Sequence, residues 1–242
     1  MPERTVRVVS ANILCLNLRP AAAISAVAAQ NADVVILIES VKRFERHVAR
    51  DLPPLRARGF TRPGGMPVTL HAGAHLPVAD LREESRGWLE ARVGGLTLMA
   101  VHAVAPYLPW RWPKRTDQLM TLARRMNTLN PEAPGLVIGD FNTADFEPAW
   151  TRYEDAAAPW RRIDCADHGP GPGPARGTWP LGQTWSPIAL DHALATPGLA
   201  GAATVRTFPI PGSDHLGLVA DLPASAAGFP AGASSHDPLR AC

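Results

Sequence analysis

Leu136-Val137-Ile138-Gly139-Asp140-Phe141-Asn142 sets an acid and an amide directly behind a short, wholly apolar run. Such a run, with no polar alternation, reads as a strand buried on both faces. Asp140 then stands where the strand leaves the core, and Asn142 follows on the turn. Carboxylate plus amide is a hard-oxygen set suited to magnesium or manganese, and the amide NH2 can donate to a phosphate oxygen without adding negative charge. The competing reading is an Asx turn that caps a following helix.

The same arrangement recurs along the chain. Val6 to Ala11 runs into Asn12, Val34 to Ile38 into Glu39, and Leu96 to Val101 into His102. Strand ends in α/β sheets present their last side chains to a shared crevice, where ligands bind. Any one of these polar residues could simply open a loop; together with Asp140 they point to one site. Ser213-Asp214-His215 precedes a further apolar run, Leu216 to Leu222, and Leu190-Asp191-His192 supplies a second acid–imidazole pair. A catalytic histidine needs a carboxylate to fix its tautomer, so Asp191 is expected to orient His215 if their strands lie adjacent. Strand alternation turns His192 the other way, toward a structural role. Asp191 could also be a turn acid capping backbone amides.

Helical stretches over Pro20 to Gln30, Val41 to Asp51 and Pro113 to Leu129 alternate with the strands and indicate an α/β or α+β fold. A chain of 242 residues can form one large domain. That domain is expected over 1–222, with Gly169 to Gly177 as a loop and 223–242 as a disordered tail. A formal charge of +2 shows no basic stripe, so nucleic acid is neither indicated nor excluded. The three cysteines are far apart and lack zinc or disulfide spacing, and no secretory or membrane-spanning apolar stretch stands out. A soluble, cytoplasmic protein is expected. His71 and His75 share helical spacing, but Gly73 and nearby prolines oppose a helix, and both are expected at the surface. Asp164 to His168 reads as a polar turn. Residues 106–115 combine aromatic rings with Arg and Lys beside the expected site; they could cover a substrate or simply anchor a Pro-rich loop.

Asn12, Glu39, His102, the Gly-Asp-Phe-Asn motif, Asp191 and Ser213-Asp214-His215 occur in an order that resembles the endonuclease/exonuclease/phosphatase (DNase I-like) superfamily, over residues 5 to about 222. The resemblance implies a four-layer α/β/β/α sandwich of two mixed β-sheets flanked by helices. It also implies a metal-dependent hydrolase of phosphate esters using one or two Mg2+ ions, with Mn2+ as an alternative. Glu39 would be the principal metal ligand with Asn12 and Asp214 nearby, and Asp140, Asn142 and His215 complete the metal-proximal set. Asp140 would orient the attacking water, and Asn142 and His102 would grip phosphate oxygens. His215, oriented by Asp191, would act as a general base or as a charged stabiliser of the transition state.

Two departures stand out. Arg86-Gly87-Trp88 occupies the stretch where DNase-like members place a glutamate to pair with the first histidine, so His102 is expected to lack that partner. Ile38 precedes Glu39 where many members have glutamine. Gly177-Thr178-Trp179-Pro180 resembles a bacterial branch containing teicoplanin-resistance phosphatase-like proteins, although the membrane helices common in that branch have no counterpart here. The leading expectation is hydrolysis of a phosphate monoester or diphosphate on a small molecule or lipid. A magnesium-dependent nuclease is the enzymatic alternative, and a noncatalytic scaffold binding a phosphorylated partner is the alternative of another class.

Overall fold

Uninterrupted apolar runs demand cover on both faces, and the computed structural model, which describes residues 4–60, 66–84, 87–165, 178–179 and 188–229, supplies it with helices on one side and a second sheet on the other. The first half of the chain forms β1 (Thr5–Asn12), α1 (Pro20–Ala28), β2 (Val34–Ile38), a 3-10 turn (Lys42–Phe44) leading into α2 (Glu45–Asp51), β3 (Leu55–Phe60), β4 (Pro67–Ala72), β5 (Val78–Glu84) and β6 (Trp88–Val93). The second half adds β7 (Leu96–His102), α3 (Arg111–Met126), β8 (Gly135–Asp140), α4 (Pro148–Ala157), β9 (Arg161–Arg162), β10 (Asp191–Ala195), α5 (Pro197–Ala200), β11 (Thr204–Pro209) and β12 (Leu216–Pro223).

Two mixed six-stranded sheets result, ordered β11-β12-β1-β2-β4-β3 and β5-β6-β7-β8-β10-β9. Val8, Ile36 and Ile38 of the first sheet meet Leu98, Leu136 and Ile138 of the second in the central core. The alternate residues face outward. Val9, Val35 and Leu37 pack under Ile24 and Val27 of α1 and Val48 of α2, while Met99, Val137 and Leu194 pack under Leu122 of α3 and Trp150 and Tyr153 of α4. The layers therefore run helix, sheet, sheet, helix, as expected. Proline at the first turn of α1 and α4 suits a position whose N–H needs no helical partner.

Gly139 explains how Asp140 reaches the sheet edge. It pairs with Val101 across parallel strands β7 and β8, has φ +147°, and a Cβ there would lie 2.2 Å from the Val101 carbonyl oxygen. Only glycine allows that approach.

Several expectations change. The fold continues past Pro223: Ala224, Ala227 and Phe229 are buried in the central core, because a small-residue segment can still fill a groove without periodicity. Residues 230–242 lie outside the described residues, as does the Gly169 to Gly177 loop. The helix expected over Val41 to Asp51 splits into the 3-10 turn and α2. His71 is not at the surface. On β4 it is 2% exposed, with Nδ1 3.2 Å from the Pro53 carbonyl oxygen and Nε2 3.0 Å from Thr69 Oγ1.

Two measurements follow from these packing facts. Gly139→Ala should lower the unfolding free energy by about 2–4 kcal/mol, since it adds both a steric clash and positive-φ strain; a shift within about 0.5 kcal/mol in urea denaturation would contradict this. Burial holds the His71 imidazole down to about 4. Its folded value lies below the unfolded one near ~6.5, so its contribution is complete above ~6.5 and lost as the pH falls toward 4. The stability advantage of the wild type over His71→Gln should therefore shrink on acidification by up to about 1.4 kcal/mol per pH unit, and a pH-independent difference would exclude it.

Candidate active site

Register brings the polar residues together. His102 pairs with Asp140 across β7 and β8, and Asp140 pairs with Asp191 across β8 and β10, so three side chains stand in a row at one sheet edge. In the facing sheet, Asn12 ends β1 beside Ile38, Glu39 follows β2, and Asp214 and His215 directly precede β12. Asn12, Glu39, His102, Asp140, Asn142, Asp214 and His215 all line one cavity of about 340 Å³, with Asp191 held behind His215.

Two hydrogen bonds join the sheets at this point. Asn12 Nδ2 donates to Asp140 Oδ2 at 3.0 Å, and His215 Nδ1 lies 2.8 Å from Asp191 Oδ2. Ser213 Oγ donates to the Asn12 carbonyl at 2.7 Å and accepts from the His215 amide at 3.1 Å, which locks the Ser-Asp-His turn onto β1. The Asp191 bond assigns the proton of neutral His215 to Nδ1, leaving Nε2 4.0 Å from Asp140 Oδ2. Burial pushes the Asp140 carboxyl well above the ordinary carboxylate range; the His215 charge opposes that rise and Asp191 adds to it. Burial alone would lower the His215 imidazole, but the charges of Asp191 and Asp140 and the Asp191 hydrogen bond carry it well above its ordinary value.

Asp140 is 1% exposed and accepts three hydrogen bonds. Its Oδ1 accepts from the Asn142 amide at 2.8 Å, and its Oδ2 accepts from the side chains of Asn12 and Asn142 at 3.0 and 3.1 Å. Asn142 also donates to the Ala103 carbonyl at 3.0 Å, so both its side-chain hydrogens serve the scaffold and its Oδ1 is the group left over. The NH2 donation to phosphate expected from sequence is thus already used within the chain. Glu39 has φ +62°, a left-handed turn that takes it off the line of β2, and its Oε2 accepts from the Cys15 amide at 2.8 Å. His102 Nε2 lies 3.8 Å from Glu39 Oε1 and 4.0 Å from Asp140 Oδ2. Carboxylates from two other strand ends thus stand near His102, while Arg86 lies outside the described residues.

His192 faces the other way, as alternation requires. Its Nε2 lies 2.9 Å from the Thr143 carbonyl oxygen, and its ring stacks on Trp150 with centroids 3.8 Å apart. Of the 106–115 segment, Tyr107 and Arg111 line the cavity and Arg111 begins α3. The Asp164 to His168 cluster lies partly outside the described residues.

Three positioning residues escaped the sequence reading. Thr178 Oγ1 accepts from the amides of Leu190 and Asp191 at 3.0 and 3.1 Å. Trp179 Nε1 donates to Asp214 Oδ2 at 2.9 Å. Arg115, 2% exposed, donates to the Asn142 carbonyl and pairs with Glu147. Thr178 and Trp179 belong to a motif visible in the sequence, but their partners lie more than ten residues away; Arg115 was one cation among several.

The donor chemistry fits a divalent cation. Ligand atoms of Asp140, Asp191 and His215 lie within 4.8 Å of one another. Among the described residues Asp214 Oδ1 is buried without a hydrogen-bond partner, and Glu39 adds another carboxylate to the same cavity. A buried carboxylate oxygen with no donor is costly unless a cation satisfies it, and an oxygen-rich set suits a hard one. A larger cavity of about 790 Å³ lies under α2, lined by Val48, Leu52, Pro54, Leu55 and His71. There Glu45 is paired with Arg58 and both His71 nitrogens have partners, so it lacks this chemistry.

Residues 9–215 match the model of the Endonuclease/Exonuclease/phosphatase family. The chain belongs to that family. It is a metal-dependent hydrolase of phosphoester bonds at the level the family defines. No curated protein sequence matches the chain. Among solved structures, the fold is similar to an AP endonuclease from Archaeoglobus fulgidus, with a TM-score of 0.69 and 14% identity over 89% of this chain and 98% of that one. It is also similar to D. rerio TDP2 complexed with single-strand DNA product, with a TM-score of 0.68 and 15% identity over 91% and 99%. A Staphylococcus aureus beta toxin superposes with a TM-score of 0.62 and 12% identity over 89% and 99%. Among the described residues no helix is long and apolar enough to cross a membrane.

Proposed function

We propose that this member of the family is a magnesium-dependent phosphoesterase that hydrolyses a phosphate monoester or diphosphate of a small molecule or lipid by in-line attack of water. The observation that supports this reading is the Asp140 carboxylate, cradled by Asn12 and Asn142 beside the Asp191–His215 pair, in the wall of one cavity. Glu39, Asp214 and Asn12 would hold the cation. When bound, the metal neutralises charge on the phosphoryl oxygens and the leaving group. Asp140 orients the attacking water, and Asn12 and Asn142 keep its carboxylate aimed. His215, with Nδ1 held by Asp191, works at Nε2: neutral, it accepts the proton of the water; protonated, it stabilises the phosphoryl charge. His102 lies against Glu39 and Asp140 and contacts a phosphate oxygen. Leu14, Leu16, Met66 and Tyr107 give the cavity an apolar wall that accommodates the organic part of a substrate. A reducing, cytoplasmic location is part of the proposal; it accords with three cysteines that stand far apart in the sequence and lack disulfide spacing.

A nuclease is the second reading, favoured by the fold shared with the AP endonuclease and with the TDP2 bound to single-strand DNA product. A panel of phosphate monoesters, diphosphates and plasmid DNA, with and without chelator, separates the two. The proposal expects chelator-sensitive phosphate release that falls by about a thousandfold or more in Asp140→Ala and His215→Ala. Plasmid nicking without phosphate release would replace it with the nuclease. Trp179→Phe keeps the ring but removes the donor to Asp214. We expect it to weaken Mn2+ binding, read by electron paramagnetic resonance, by about tenfold; unchanged affinity would remove Asp214 from the metal site.

A further inference from the structure

Exposed large apolar side chains among the described residues gather at the catalytic end of the sandwich. The loop after β1 presents Leu16 and Leu18, the latter 89% exposed. The segment after β7 presents Tyr107, Leu108 and Trp110, and Trp112 follows in the first turn of α3. Phe146 stands on the loop after β8, and Met66 immediately before β4, whose start lies beside the end of β2. Leu55 and Leu81 are the two exposed large apolar residues found elsewhere. Leu16, Met66 and Tyr107 also line the cavity that holds Asp140 and His215, so the patch reaches the mouth of the site.

Cations accompany the patch. Arg19 follows Leu18, Lys42 and Arg43 follow β2, and Arg111 and Lys114 stand beside Trp110 and Trp112. None of these five forms an ion pair among the described residues. Exposed apolar side chains gathered at one end of the molecule in this way mark an interaction site. The side-chain types indicate the partner. Four of the eight, Leu16, Leu18, Met66 and Leu108, are aliphatic and have no ring face on which a base could stack, whereas a nucleic-acid platform relies on aromatic stacking. Aliphatic tips that enter an acyl layer, Trp and Tyr at its boundary, and unpaired Arg and Lys facing acidic head groups together match an anionic bilayer.

We propose that this rim is a membrane-docking surface, which seats the cavity mouth on an anionic lipid bilayer so that a phosphorylated head group enters from the membrane plane. The substrate class rests on the phosphoesterase reading; the docking itself does not. The test uses the full chain and sedimentation with vesicles of phosphatidylcholine alone or with about one third phosphatidylglycerol. Leu18→Asp combined with Trp110→Asp alters exposed residues outside the cavity lining. Binding to anionic vesicles that weakens at least about tenfold in the double variant, with hydrolysis of a water-soluble phosphoester unchanged, supports the proposal. Absence of vesicle binding by the wild type, or equal binding by the double variant, overturns it. Tighter binding to a single-stranded oligonucleotide than to vesicles, lost in the same variant, also overturns it and makes the rim a nucleic-acid platform. Vesicle binding without turnover of any phosphoester supports the docking surface and refutes the phosphoesterase reading alone.

Discussion

A carboxylate almost sealed from water, that of Asp140, stands where the two sheets converge, and much of the local architecture serves to satisfy it. An unpaired buried charge is expensive. Here the cost is met by donors from both sheets: Asn12 from the end of β1, and the backbone and side chain of Asn142 from the turn after β8. The same contacts hold the sheets in a fixed relation at this edge. The Asp191–His215 bond, also between sheets, makes a second tie only a few ångströms away. Moving one sheet relative to the other would break both.

That constraint accounts for the unusual backbone around the cavity. Leu14, Glu39 and Asn142 have positive φ values of 56°, 62° and 48°, and Gly139 has one of 147°. Such conformations cost free energy and persist where surrounding contacts determine them. The three non-glycine residues each have such a contact: Leu14 donates its amide to Asn12 Oδ1, Glu39 accepts from Cys15, and Asn142 is clamped by Arg115. Thr178 and Trp179 extend the support outward, so that every acid in the row is held by a group that does not itself line the cavity, by a neighbouring wall residue, or by both. The exposed side chains beyond include Leu18, Arg19, Trp110 and Lys114, whereas the cavity wall carries Glu39, Asp140 and Asp214.

The central strands were legible because burial on both faces leaves uninterrupted apolar runs, as in Val34 to Ile38 and Leu136 to Ile138. Strands toward the sheet edges were not. β3 carries Arg56 and Arg58, β5 carries Asp80 and Arg82, and β9 is only Arg161–Arg162, so half-exposed strands lost the pattern that marks a core strand. α4 was hidden for a similar reason: its buried face rests on Trp150 and Tyr153, two large rings that do the work of a longer aliphatic stripe. His71 was misplaced because its spacing from His75 was weighed only against a helix, while its burial comes from the place of β4 between β2 and β3 in the sheet.

By itself the sequence determined which residues end the buried strands, and therefore that Asn12, Glu39, His102 and Asp140 leave the core as polar groups; hydrophobic periodicity is a local property and needs no partner to be read. The tertiary structure alone decided that they converge. Strand order and register put Asp191 beside Asp140, and the approach of the two sheets brought Asn12 to the same carboxylate. It also decided that Asn142 spends its amide hydrogens on the scaffold and that Trp179 holds Asp214. Hydrogen bonds between residues far apart in the chain depend on packing geometry, and no spacing within a single strand encodes it.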